Sequence, residues 1–394
     1  MLSGTKFQTQ IFLLLFTLLC IPMSANAIQV KSLNVNECKI PKNYQQSLSP
    51  GFPRDPALTT SLGLIRSVVI HVDFPDNKSP QLVSDFQVNF SKEAEKFLEN
   101  QSYGRANFVF DVPGTVFRIN KDSSSYKIVR DGQGDTRGLI QDAINAADES
   151  IDFTSYQFVT VVPPRDTKTI LFSGAMVGGA ESFSSNERNF SSAIWIGKNK
   201  LENFNSPGSG WSFYAHEIGH VLGITHPYFQ RDGGPGAIWD LMGNGGTSVP
   251  EFIGWHRFLL SWLNDNEVIC LSKDLLKRQQ VLITPINSNS SRPKVLIVRI
   301  NSLQALFLEV RRSSKYDKLR KDEIGAIVYR VDVSKGDDEG IITVLGNKGT
   351  KREGQTLETI TRGEKIQSDG ITFQVISSSK IGDTIRVSRV KDSK

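Results

Sequence analysis

One stretch constrains this chain more than any other: His216-Glu217-Ile218-Gly219-His220-Val221-Leu222-Gly223-Ile224-Thr225-His226. It reads HExxHxxGxxH. On a helix, residues four apart share a face, so His216 and His220 can grip one ion together. Glu217 sits beside the first ligand and can reach a water at the ion without binding the ion itself. Gly223 lets the chain leave the helix in a conformation most residues avoid, and that turn brings His226 back as a third ligand. Three protein ligands and one open position form a catalytic zinc site, whereas a structural site closes with four. The expected chemistry is hydrolysis: the ion polarises a carbonyl and acidifies water, and Glu217 moves the proton to the leaving amine. Three of only five histidines fall within this motif, with Glu and Gly at the offsets the chemistry requires.

The flanks agree. Residues 211–215 (WSFYA) supply an apolar start for the helix, with Ser212 as a candidate N-cap. Downstream, Trp239-Asp240-Leu241-Met242-Gly243 places a methionine where metal peptidases of the metzincin type carry their Met-turn. Met242 and Met176 are the sole methionines after residue 27. No tyrosine stands two residues after Met242 to act as an extra ligand. Tyr214 and Tyr228 are the alternatives for stabilising an oxyanion, or else packing residues.

The first 27 residues read as an export signal. Lys6 precedes an apolar run over residues 11–21, and Ser24-Ala25-Asn26-Ala27 ends in an A-x-A cleavage pattern. The run is short for a bilayer span, so no stable membrane anchor is expected and the protein is read as secreted. Cys20 would leave with that segment. The remaining pair, Cys38 and Cys270, reads as a disulfide in an oxidising compartment; the rival reading makes Cys38 an inhibitory thiolate on the zinc. With 46 basic and 41 acidic residues the charge is mildly positive and unconcentrated, so no nucleic-acid partner is expected.

Residues 28–394 are more than one core usually serves, which predicts two domains. Residues 28–60 are polar, with prolines, and read as an extended arm or short pro-segment. Strands are expected over 65–74, 107–112, 156–162 and 192–197, with helices over 91–100 (capped by Ser91) and 138–147. The Gly/Ser/Asn-rich residues 173–190 read as loop. This alternation predicts an α/β catalytic domain over 61–272. Beyond it, β-branched runs at 281–286, 295–300, 305–310, 326–331, 341–345, 371–376 and 384–390 predict an all-β, sandwich-like domain over 273–394.

Several stretches together resemble the immune inhibitor A-like group of secreted bacterial metalloproteases. They are Val69-Ile70-His71-Val72-Asp73-Phe74, Ser102-Tyr103-Gly104, Asp152-Phe153-Thr154-Ser155-Tyr156, the zinc motif and residues 258–263 (FLLSWL). Phe307-Leu308-Glu309-Val310-Arg311 and residues 325–332 (GAIVYRVD) extend the likeness into the β region. Only the zinc motif among these is specific to a mechanism. Many members of that group carry Asp where this chain has His226, so the ligand set here is closer to the general metzincin pattern.

The remaining candidates are weaker. Residues 193–196 are either the edge strand that would receive an extended peptide substrate or an ordinary core strand. His71 and His256, in apolar contexts, read as structural. Asp131 and Asp135 in DGQGDT, and Asp232 in RDGGPG, suggest either calcium (Ca2+) loops or solvated turns. The favoured expectation is a zinc (Zn2+) endopeptidase acting on protein or peptide substrates. A zinc-containing adhesion protein and an amidase of cell-wall peptides are the alternatives.

Overall fold

The computed structural model describes residues 32–42, 50–78, 83–130, 133–178, 183–202, 210–228, 236–243, 251–346, 351–352, 355–356 and 358–390. Residues 1–27, expected to be an export signal, lie outside the described residues, as do Asp131 and Asp232. Among the described residues, no helix is long and apolar enough to cross a membrane.

The N-terminal part carries a six-stranded sheet built from β1 (Gly63–Asp73), β2 (Ala106–Asp111), β3 (Val116–Arg118), β4 (Phe158–Val162), β5 (Gly174–Val177) and β8 (Ser192–Trp195), with a small hairpin of β6 (Phe183–Ser184) and β7 (Asn189–Phe190) beside it. The order is β2-β1-β4-β8-β5, and β3 also pairs with β1. Every pairing is parallel except β5 with β8, which is antiparallel. Helices follow in the order α1 (Ser84–Phe86), α2 (Lys92–Gln101), α3 (Thr136–Ala147), α4 (Lys198–Leu201), α5 (Trp211–Val221) and α6 (Gly254–Leu259).

The period-two pattern of β1 explains the layering. Ile65 and Val69 face a core shared with Phe97 of α2 and Ile218 of α5. Val68, Ile70 and Val72 face the opposite core, with Leu139, Ile140, Ala143 and Ile144 of α3. Buried on both faces, such a strand is a near-continuous apolar run, as inner parallel strands are. Each of the large apolar side chains among these contributes about 1.5–3 kcal/mol on burial. Asp135 caps α3 by accepting the Gly138 N–H at 2.8 Å.

Three local expectations change. Ser91 is no cap: the chain is already helical from Ser84 through a wider turn over Gln87–Ser91, held by Phe86 and Phe90 stacked at 4.8 Å in the core. Ser212 lies inside α5, whose N-cap position is Gly210. The Gly/Ser-rich stretch contains β5, which places β8 inside the sheet and makes β5 the edge strand. Glycine and serine lower intrinsic strand propensity, and pairing with β8 overrides that.

The C-terminal part comprises β9 (Val268–Ser272), β10 (Gln279–Ile283), β11 (Val295–Arg299), β12 (Gln304–Arg311), β13 (Gly325–Asp332), β14 (Ile342–Val344), a hairpin of β15 (Lys351–Arg352) and β16 (Gln355–Thr356), then β17 (Thr359–Ile360), β18 (Lys365–Ser368), β19 (Ile371–Ser378) and β20 (Asp383–Arg389). One sheet runs β14-β13-β12-β11-β9 with β17 beside β13, and a second runs β10-β20-β19-β18. Between them, Leu306, Leu308 and Val310 of β12 pack with Phe373, Val375, Ile385 and Val387. The other face of β12 carries Ala305 and Phe307 against Trp255 and Phe258 of α6 and against Val35, Cys38 and Ile40 of the N-terminal arm. The sheets therefore lie face to face, and the sheet containing β12 is covered on its other side by α6 and the arm. Because β9 pairs in parallel with β11, the β-rich unit begins at Val268, inside the expected catalytic span.

Candidate metal centre

Helix α5 is apolar nearly all round: Phe213, Tyr214, Ala215, Ile218 and Val221 are buried in the core. Its remaining face presents His216 and His220, with ring centroids 4.8 Å apart. The helix then ends in a paired closure. Gly223 N–H donates to His220 O at 2.7 Å, Ile224 N–H donates to Gly219 O at 3.0 Å, and Gly223 has φ +87°. This is the Schellman geometry that glycine permits. It returns His226 to 4.5 Å from His220 and 5.6 Å from His216, centroid to centroid. The ring nitrogens that the three histidines could offer to an ion lie within 4.8 Å of one another.

Two of the three rings are oriented by backbone carbonyls. His216 Nδ1 lies 2.9 Å from Leu241 O, and His220 Nδ1 lies 2.7 Å from Ile224 O. A carbonyl can only accept, so Nδ1 carries the proton and Nε2 keeps its lone pair for an ion. Burial pushes His216 down to about 4 and His220 well below its ordinary value, which keeps both rings in the neutral form that binds metal. Three convergent neutral imidazoles are a donor set suited to zinc. Glu217, the residue after His216, is buried at 6% exposure.

Beneath the histidines runs the turn Asp240–Gly243, closed by Gly243 N–H to Asp240 O at 3.0 Å. It supplies Leu241 O to His216 and places Met242 against Gly219. The C-terminal sheet clamps this turn. Strand alternation sends Glu309 and Arg311 to the same face as Phe307, and the fully buried Arg311 donates to Trp239 O at 2.6 Å while pairing with Asp317 at 2.8 Å. Asp240 in turn lies 3.0 Å from Nδ1 of the buried His256.

The N-terminal arm also reaches the site. Arg54 Nε donates to Leu222 O at 2.9 Å, satisfying a helix-end carbonyl, and Leu58 packs over Gly223. Earlier in the arm, Cys38 is bonded to Cys270 at 2.09 Å, so no thiol from Cys38 faces the histidines.

Other sequence candidates sit elsewhere. Tyr214 is fully buried, its hydroxyl 2.8 Å from Thr160 Oγ1, among Phe86 and Phe110 on the core side of α5. Tyr228 is buried with Trp239 in the core under the β sheet. His71 is buried edge-on to Phe86 at 5.9 Å. Among the described residues, just two groups of three potential ligands occur: the histidine triad, and His226 with Asp337 and Asp338. Asp135 belongs to neither. Sequence reasoning missed Asp337, Arg54 and β5, none of which has a local signature.

Compared with known proteins, the chain matches no family model and no curated protein.

Proposed function

We propose that this protein is a secreted, zinc-dependent endopeptidase of the metzincin type, related to the immune inhibitor A-like group. The observation that carries the reading is the convergence of His216, His220 and His226 with Glu217 on the same helix. Zinc in that triad would supply Lewis acidity toward water and the scissile carbonyl. The Glu217 carboxylate accepts a proton from the attacking water and delivers it to the leaving nitrogen. A site built only to hold metal needs no carboxylate at that position.

Substrate has a natural berth. Among the described residues β5 is the edge strand of the sheet and lies against α5, so an extended peptide can add to it as a further strand. Secretion is supported by the N-terminal sequence pattern and by the Cys38–Cys270 bond, which an oxidising compartment maintains.

The test is cleavage of a mixed-sequence protein by the purified chain, with and without a zinc chelator, beside Glu217→Ala. Activity should vanish in both controls and return when zinc is restored to the chelated wild type. Loss of a general base costs about 10²- to 10⁴-fold. Stoichiometric zinc without cleavage of any protein would favour the adhesion or cell-wall reading.

A further inference from the structure

His216 and His220 are each oriented by a carbonyl of the catalytic part, whereas His226 is held from the C-terminal sandwich. The His226 backbone N–H donates to Asp337 Oδ1 at 2.6 Å, and the same oxygen lies 3.3 Å from His226 Nδ1. Asp338 N–H donates to His226 O at 3.0 Å, and Ile342 N–H to Pro227 O at 2.8 Å. The turn between β13 and β14 thus grips residues 226 and 227 by both edges. Its shape depends on left-handed backbone at Asp338 (φ 59°) and Gly340 (φ 84°).

We propose that Asp337 is a positioning residue of the metal centre: through its carboxylate the C-terminal sandwich fixes the third ligand, His226. The proposal rests on the zinc-site reading above. Its physical basis is that a carboxylate beside Nδ1 keeps the proton there, leaves Nε2 as the donor, and stops the ring from rotating away. His226 needs such a hold more than its partners do. It lies beyond the helix, past the glycine turn, and among the described residues no carbonyl orients its ring as Leu241 O and Ile224 O orient the other two. The β-rich part is then a component of the metal site as well as an appended module.

The test uses the full chain, stripped of metal and titrated with zinc against a chromophoric chelator. Wild type, Asp337→Ala, Asp337→Asn and His226→Ala are compared. Each is also unfolded metal-free, and each is loaded with cobalt to read the visible spectrum of the ligand field. Asp337→Ala should weaken zinc by roughly 10- to 100-fold and alter the cobalt spectrum. Its metal-free unfolding midpoint should stay close to wild type, since the Asp337 side chain is 46% exposed. Asp337→Asn keeps an oxygen for the His226 N–H and should lose less.

Unchanged zinc affinity in Asp337→Ala, with affinity lost in His226→Ala, would overturn the proposal and leave the metal site standing. An unchanged cobalt spectrum with a lowered metal-free midpoint would also overturn it, by showing a role in folding alone. Weaker zinc binding together with higher peptidase activity would overturn it as well, making Asp337 a fourth ligand that shuts the site. A wild type that takes up no zinc, or a His226→Ala variant that binds zinc as wild type does, would defeat the zinc-site reading itself.

Discussion

Met242 sits so close under Gly219 that a Cβ on Gly219 would fall 2.4 Å from its sulfur. The glycine between the two helical histidines is therefore a packing requirement. At an exposed helix position Gly→Ala stabilises by about 1 kcal/mol. Here the sign should reverse, with Gly219→Ala costing about 1–2 kcal/mol as the thioether is pushed aside. In a Met242→Ala background the same change should cost nothing or stabilise, because neighbouring substitutions couple. Urea unfolding of the four proteins measures the cycle, and a stabilising single Gly219→Ala would refute the close approach.

Gly223 carries the turn that returns His226, and the arm covers it: a Cβ there would lie 2.4 Å from Leu58 Cδ1. With φ at +87°, Gly223→Ala should cost about 1–2 kcal/mol from backbone conformation alone. It should also weaken zinc, whereas Leu58→Ala should affect stability more than zinc. A chain starting at residue 61 loses Leu58, the Arg54 bond to Leu222 and the Cys38–Cys270 disulfide. We expect it to unfold at lower temperature and retain metal less well than a chain starting at residue 32. Higher activity in the shorter chain would instead mark the arm as an inhibitory pro-segment.

The Cys38–Cys270 bond closes a sequence separation of 232 residues. Chain-entropy reasoning puts the stabilisation from so long a loop at about 5 kcal/mol, an upper figure. The double variant Cys38→Ser with Cys270→Ser should lower stability toward guanidinium by a few kcal/mol and leave zinc stoichiometry unchanged. A gain in activity without loss of stability would revive the thiolate-cap reading of Cys38.

His71 gives a pH dependence with a definite sign. Burial in β1 pushes it from 6.5 down to about 4. Between those values the unfolded chain binds a proton that the folded chain refuses, so the contribution is complete above about 6.5 and lost as pH falls toward 4. Linkage puts the loss at about 2 kcal/mol by pH 5. In metal-free protein, His71→Phe should flatten that part of the profile between pH 7.5 and 5. An unchanged slope in the variant would show that His71 is protonated in the fold.

The histidine cluster was legible because its logic is local. Spacing of four on a helix, a glycine at the exit and a histidine three residues on are all written within the eleven residues from His216 to His226. Long apolar runs likewise marked β1, β4, β12 and β13, since burial on two faces leaves little choice of residue. Other features had no such mark. β5 is built from Gly174, Ala175, Met176 and Val177, and pairing with β8 makes it a strand. The carbonyls of Leu241 and Ile224 orient rings, yet any residue has a carbonyl. Arg54 and Asp337 reach the site from positions 168 residues before Leu222 and 111 residues after His226. The sequence by itself determined which side chains gather in the histidine cluster on which the proposed chemistry rests, because residue identity and helical periodicity are short-range properties. Only the tertiary structure decided what holds that chemistry in place, because hydrogen bonds between distant segments form when the two sheets and the arm close around α5 and leave no periodic trace in the chain.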